Sequence, residues 1–171
     1  DFFRYNVKKG QEDATLGEEL EAVDNYIYIL NVRFAGDIHF SKEADESLEH
    51  VRVPSMILQP IVENAVNHGI RDIEWEGRIH LTVTGDADYI RISVKDNGKG
   101  MTQEQIESVL SGNKEYGKEE SDSTGIGMNN VISRLELYYE EKGLVEISSE
   151  GEGKGTEVVV YIPVNYSNSR K

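Results

Sequence analysis

The sequence contains no cysteine. That excludes disulfides, thiolate metal sites and cysteine nucleophiles, and it suits a reducing compartment. It has no apolar run near the roughly 20 residues that a membrane span requires. It shows no signal peptide either: the chain opens Asp1-Phe2-Phe3-Arg4-Tyr5, without an apolar core segment. There is no initiator Met, so the chain is expected to be a fragment of a longer protein. Positive charge is scarce, with 18 Lys and Arg against 32 Asp and Glu, a formal net charge of −14. A general nucleic-acid binder is thereby excluded, since affinity there comes from cations on phosphates. Adhesion to an anionic membrane surface is disfavoured for the same reason. An anionic small ligand is not excluded, because local N–H groups, a metal ion or a few cations override the global sign.

What is present suffices for one ordinary domain: 171 residues, 37% hydrophobic and 29% charged. Residues 1–7 read as the end of a helix stopped by Lys8-Lys9-Gly10. Leu16, Leu20, Val23, Ile27, Leu30 and Phe34 recur at spacings of three and four, which predicts a helix over 17–34, closed by Gly36. Residues 37–42 alternate as a strand, and the acidic stretch 43–53 reads as a loop. Segment 54–69 is helical, with Pro54 as a first helical residue. Pro60 then requires either a kink or a regular part that begins nearby. Residues 78–84 and 89–95 alternate and form a hairpin around Gly85–Asp88. Thr102 with Gln105 three residues on predicts a capped helix over 102–111. Residues 111–124 read as a long loop, with Tyr116 the one apolar side chain. A helix follows from Gly125 to about 142, ended by Gly143, then strands 144–149 and 156–162. The tail from Asn165 is polar. These elements predict an α/β two-layer sandwich, with about five strands in a mixed sheet covered on one face by helices.

Asp96-Asn97-Gly98-Lys99-Gly100-Met101 is the most informative stretch. It places an acid at a strand end and two glycines directly after it. A carboxylate there can accept from an exocyclic amine, and the glycines let backbone approach a flat ring. Alone, the same pattern fits an ordinary strand-to-loop turn. Upstream, Gln59, Glu63 and Asn67 form a polar stripe on an otherwise apolar helix, with Asn64 beside it. The stripe either faces solvent or lines a site. Glu63 is a candidate general base, and the Asn64 amide oxygen suits a hard cation such as Mg²⁺. Downstream, Gly125-Ile126-Gly127-Met128-Asn129-Asn130 opens a helix whose free N–H groups can hold phosphate, with Ser123-Thr124 before it. It is neither a P-loop nor a dinucleotide fingerprint. Thr156 begins the last strand, after Gly153-Lys154-Gly155. If that strand neighbours the one ending at Asp96, its hydroxyl shares the same ligand edge.

Together these elements resemble the nucleotide-binding domain of the gyrase, Hsp90, histidine kinase and MutL superfamily, and within it the YesM- and LytS-like sensor histidine kinases. Leu58-Gln59-Pro60-Ile61-Val62-Glu63-Asn64-Ala65-Val66-Asn67-His68-Gly69 is similar to that subgroup's Leu-Gln-Pro-Leu-Val-Glu-Asn-Ala-x-Lys-His-Gly. Asp96 to Met101, Gly125 to Asn130 with Arg134-Leu135, and Gly155-Thr156 complete the resemblance. So do Leu16 to Leu20 and Tyr26 to Phe34.

The resemblance implies a Bergerat-type sandwich with three helices on one face that binds ATP with Mg²⁺. Asp96 would take the adenine amine, aided by Thr156. Gly98, Gly100 and Met101 would shape the slot. Asn64 would hold Mg²⁺, and Glu63 would help activate an acceptor histidine. Gly125, Ile126, Gly127 and Met128 would meet the phosphates, and residues 102–124 would be a lid. Asn67 stands where the subgroup has Lys, which either weakens binding or shifts that cationic role to Lys99, Lys114 or Lys118. The phosphoacceptor phrase is absent from this chain. His39 and His80 are expected to be structural and His50 exposed, while His68 either touches nucleotide or does not. Residues 1–16 would be the end of a dimerisation and phosphoacceptor region, 17–164 the catalytic domain and 165–171 a tail. The implied parent is a homodimeric, membrane-anchored kinase with a cytoplasmic catalytic portion, and a response regulator as partner. The alternatives are a serine kinase of the anti-sigma-factor group and a non-catalytic nucleotide-sensing module.

Overall fold

The computed structural model describes residues 13–33, 38–112 and 124–164, with side chains in the last stretch from Gly127 onward. The expected helix end over 1–10, the Gly36 stop, most of the 111–124 loop and the tail from 165 lie outside the described residues. In chain order the elements are β1 (Asp13–Thr15), α1 (Leu16–Arg33), β2 (Ile38–Ala44), a 3₁₀ turn (Glu46–Leu48) and β3 (Arg52–Pro54). Next come α2 (Leu58–Asn64), continued by a π-helical turn (Ala65–Ile70), then β4 (Gly77–Gly85) and β5 (Tyr89–Asp96). The last are α3 (Gln103–Ser111), α4 (Thr124–Tyr139), β6 (Val145–Ser148) and β7 (Thr156–Pro163).

Five strands form one mixed sheet in the order β2-β4-β5-β7-β6. β2 runs parallel to β4, and the remaining neighbours are antiparallel. Alternation decides which face is covered. Ile79, Leu81 and Val83 of β4, Ile90, Ile92 and Val94 of β5, and Val158, Val160 and Ile162 of β7 are all buried. Leu16, Leu20, Val23 and Ile27 of α1, Leu58, Ile61 and Val62 of α2, and Met128, Val131 and Leu135 of α4 complete the same core. Each such side chain contributes about 1.5–3 kcal/mol on burial. The expected sandwich is therefore present, with α1, α2 and α4 on one face. The far edge of α1 leaves Tyr28, Ile29 and Val32 exposed.

Several local expectations are corrected. The 43–53 stretch is not all loop: β2 extends to Ala44, which pairs with Val83, and Arg52–Pro54 is β3. β3 pairs antiparallel with β1, from Asp13 opposite Pro54 to Thr15 opposite Arg52. Three-residue strands carry too few side chains for periodicity to reveal them. Pro54 thus ends a strand and does not start the helix. α2 begins at Leu58, so Pro60 sits third in the helix, within the first turn. First-turn N–H groups have no intrahelical acceptor, so the missing donor costs no hydrogen bond and no kink is required. After Asn64 the helix widens, and the Arg71 N–H closes on the Val66 carbonyl at 3.0 Å. The expected capping box is present: Gln105 N donates to Thr102 Oγ1 at 3.1 Å and Thr102 N to Gln105 Oε1 at 2.9 Å. Among the described residues no helix is long and apolar enough to cross a membrane.

Candidate functional site

The site starts from strand parity. Positions 90, 92 and 94 of β5 face the core, so position 96 must as well. The same parity carries β7 from Ile162, Val160 and Val158 to Thr156. The register places Asp96 directly opposite Thr156. An acid and a hydroxyl thus stand side by side where the apolar face ends, 7% and 8% exposed. Gly98 N donates to Asp96 Oδ1 at 2.8 Å, and the Thr156 backbone N–H also donates to this carboxylate. Burial outweighs both bonds and pushes the Asp96 carboxyl up to about 6. It remains mostly ionised at neutral pH, as an acceptor of amine hydrogens must be.

α2 and its π-turn form the facing wall. Ile61, Asn64, Ala65, His68 and Gly69 line a cleft with Val94, Asp96, Met101, Thr156 and Val158. The space enclosed between the walls is only about 20 Å³, room for about one water, and reaches about 320 Å³ only when the open mouth is counted, so the walls must part for a flat ring to enter. Asn64 Oδ1 is buried and has no hydrogen-bond partner among the described residues. Such an orphan costs about 1–3 kcal/mol unless a ligand completes it. A free amide oxygen is a hard donor, so the residue fits Mg²⁺.

Glycines let these walls meet. A Cβ on Gly69 would lie 2.7 Å from the Asp96 carboxyl carbon. One on Gly98 would lie 1.9 Å from the Gly69 carbonyl oxygen. Gly98 and Gly100 were expected to make room for a ring, and the structure gives them a different immediate task. They allow close backbone approaches within the protein, tied by Lys99 N to Gly69 O at 2.8 Å and Gly153 N to Lys99 O at 2.6 Å. Asn97 points away from the cleft and joins β4: its Oδ1 accepts from Arg78 N at 2.7 Å. Trp75 Nε1 donates to the Asn97 carbonyl at 2.7 Å.

The predicted stripe divides. Asn64 and His68 line the cleft, whereas Gln59, Glu63 and Asn67 do not. Gln59 Nε2 donates to Glu63 Oε1 at 2.9 Å. On the same side Tyr26 of α1 is pushed up to about 12, first by burial and then by the Glu63 charge. Gly125, Ile126 and Gly127 lie in the first turn of α4. Among the described residues, a Cβ on Gly127 would meet nothing within 4 Å. The Met128 side chain is 1% exposed and belongs to the core, which leaves its backbone to meet a ligand. His39 pairs with Glu76 at 2.5 Å on the exposed surface, His80 Nδ1 lies 2.6 Å from Ser41 Oγ, and His50 is exposed as expected. Lys114 and Lys118 lie outside the described residues.

Sequence reasoning missed Ile61, Ala65, Gly69, Val94 and Val158 as lining residues. Parity with Asp96 and Thr156 would have found the two valines, and spacing from Asn64 the other three. It also missed Ser149. That hydroxyl accepts from Met101 N at 3.0 Å and donates to the Gly155 carbonyl at 2.6 Å, which joins the two glycine turns.

Comparison with known proteins matches residues 51–166 to the family model for histidine kinase-, DNA gyrase B- and HSP90-like ATPases. Residues 1–38 match a histidine kinase model. The sensor histidine kinase YpdA of Escherichia coli K12 is 34% identical over 167 residues, 95% of this chain and 27% of YpdA. The sensor protein kinase HptS of Staphylococcus aureus USA300 is 28% identical over 165 residues, 96% of this chain and 31% of HptS. The chain thus spans under a third of the length of these relatives. Among solved structures, a mycobacterial sensor histidine kinase, MprB, superposes with a TM-score of 0.64 at 15% identity. That match covers 90% of this chain and 97% of the other. The catalytic domain of the histidine kinase ThkA gives 0.61 at 20% identity, covering 88% and 94%. At such identities the likeness is one of fold.

Proposed function

Because the chain belongs to the family of histidine kinase-, DNA gyrase B- and HSP90-like ATPases, we propose that it is the ATP-binding catalytic domain of a sensor histidine kinase. It passes the γ-phosphoryl group of ATP to a histidine on an upstream region of the parent protein, for relay to a response regulator. The observation that carries this reading is the buried Asp96–Thr156 pair facing the orphaned Asn64 amide across one cleft. The Asp96 carboxylate accepts the adenine amine, and Thr156 shares that edge. Val94, Ile61, Met101 and Val158 sandwich the ring in apolar surface. Gly125 to Gly127, at the amino end of α4, lie towards the phosphates. Asn64 holds Mg²⁺, which neutralises phosphate charge when bound. Glu63 stands outside the cleft, oriented by Gln59, where it can take a proton from an acceptor histidine presented from another region. Transfer of this kind depends on positioning and charge stabilisation and not on a covalent enzyme intermediate.

The likeness to the sensor histidine kinase YpdA supports a histidine acceptor over the serine alternative. The histidine kinase match over residues 1–38 runs through α1, and it supports an upstream partner region for that helix. A homodimeric, membrane-anchored parent with this portion in the cytoplasm belongs to the same reading. Calorimetric titration with Mg-ATP tests it, followed by mixing with the parent's upstream region and radiolabelled ATP. Saturable binding and acid-labile label on the added region are expected. No heat at millimolar nucleotide would overturn the reading, and binding without label on the added region would favour a non-catalytic nucleotide-sensing module.

A further inference from the structure

One buried acid has no part in the mechanism above. Glu19 lies in the first turns of α1 and is 5% exposed. Its carboxylate is turned towards the segment before α2. Oε2 accepts from Met56 N at 3.2 Å, and Oε1 accepts from Ile57 N at 2.8 Å and Leu58 N at 3.3 Å. α2 has no cap of its own, because the residue at its N-cap position is Ile57. Glu19 therefore does from a neighbouring helix what a local Ser or Asp normally does. The same segment is gripped from the other side. Arg134 Nη1, on α4, donates to the Ser55 carbonyl at 3.0 Å and the Met56 carbonyl at 3.2 Å. Between the two grips Met56 is held at φ 60, in the left-handed region that a side chain of its kind rarely adopts.

Of the two helices so joined, α2 lines the cleft, and α4 carries at its amino end the glycines assigned above to the phosphates. Asn64 lies six residues beyond Leu58 on α2, and Gly127 lies seven before Arg134 on α4. Both are about 10 Å along the axis from the clamp. A shift of the 55–58 segment would therefore carry α2, and Asn64 with it, relative to α4. Asp96 and Thr156 sit on the sheet and do not move with this segment.

We propose that Glu19 is a positioning residue for the nucleotide: with Arg134 it sets the spacing of α2 and α4 at which Asn64 and the amino end of α4 act on the same phosphates. α1 thus links the region matched by the histidine kinase model to the cleft through one carboxylate. This inference rests on the nucleotide reading, and its test separates the two. Dissociation constants for Mg-ATP and for adenosine are measured on wild type, Glu19→Gln, Arg134→Lys and the double variant, well below each melting temperature. Wild type that binds neither overturns both readings. With wild type binding, Glu19→Gln is expected to weaken Mg-ATP at least tenfold and adenosine much less. The double variant is expected to be no weaker than the worse single one, since both act on one segment. An Mg-ATP constant within twofold of wild type in folded Glu19→Gln, whatever the change in melting temperature, overturns this inference alone. So does an equal loss for adenosine. Should Glu19→Gln not fold, Arg134→Lys decides by the same criteria, because lysine cannot reproduce the grip of a planar guanidinium on two carbonyls.

Discussion

At the scale of single residues, Asp96 puts recognition and stability in opposition. Its folded-state pKa of about 6 lies above the ordinary carboxylate value. Between those two values the folded chain keeps a proton that the unfolded chain has released. Stability from this group is therefore complete at acid pH and falls as pH rises through that window, by up to about 3 kcal/mol. Asp96→Asn should remove the penalty. Thermal melts should show the variant more stable than wild type at pH 7.5 and level with it near pH 3.5, while calorimetry finds no Mg-ATP binding. Equal stability at both pH values would contradict the assigned burial cost. Wild-type affinity should itself fall below pH 6, as the carboxylate takes up its proton. Two glycines give a matched contrast. Gly98→Ala places a Cβ against the Gly69 carbonyl and should cost at least about 3 kcal/mol in a denaturant titration. Gly127→Ala meets no atom of the described residues within 4 Å and should leave the fold as stable or up to about 1 kcal/mol more so. Weaker nucleotide binding by folded Gly127→Ala would then locate the ligand over that turn.

At the scale of elements, legibility followed the number of side chains a pattern could use. The 18 residues of α1 and the long strands β4, β5 and β7 were readable, since each repeats its period several times. β1 and β3 were not, because three residues make no period. In the Leu58 to Gly69 phrase the sequence showed a polar stripe but not which neighbours it faced. The cleft-facing set lies one position over, at 61, 64, 65, 68 and 69, and the π-turn after Asn64 alters the phase as well. Thus Asn64 and His68 joined the site, while Asn67 did not. Pro60 was an obstacle only while the helix was taken to start at Pro54. Its true place in the first turn predicts that Pro60→Ala changes stability by less than about 0.5 kcal/mol. A loss near the 3 kcal/mol of an interior helix fault would refute the helix start at Leu58.

At the scale of the whole molecule, strand order could not be read from any single segment. The parallel pairing of β2 with β4 and the position of β7 between β5 and β6 are long-range choices, made by the shared apolar face. Yet the Asp96–Thr156 pair that centres the site depends on that order, which is why sequence offered it only as a condition. Net charge acts at the same scale. The chain carries −14, and no Lys or Arg is among the described residues lining the cleft. A polyanionic nucleotide must then approach against the molecule's own field. Repulsion of this range is screened over about 8–10 Å at physiological salt. Stopped-flow association of Mg-ATP should consequently quicken several-fold as salt rises from about 10 to 150 mM, whereas uncharged adenosine should associate at an unchanged rate. A rate for Mg-ATP that falls with salt would mean that cations near the phosphates outweigh the global field. Lys99 would be the first residue to test in that case, because its backbone is already tied to Gly69 at the edge of the cleft.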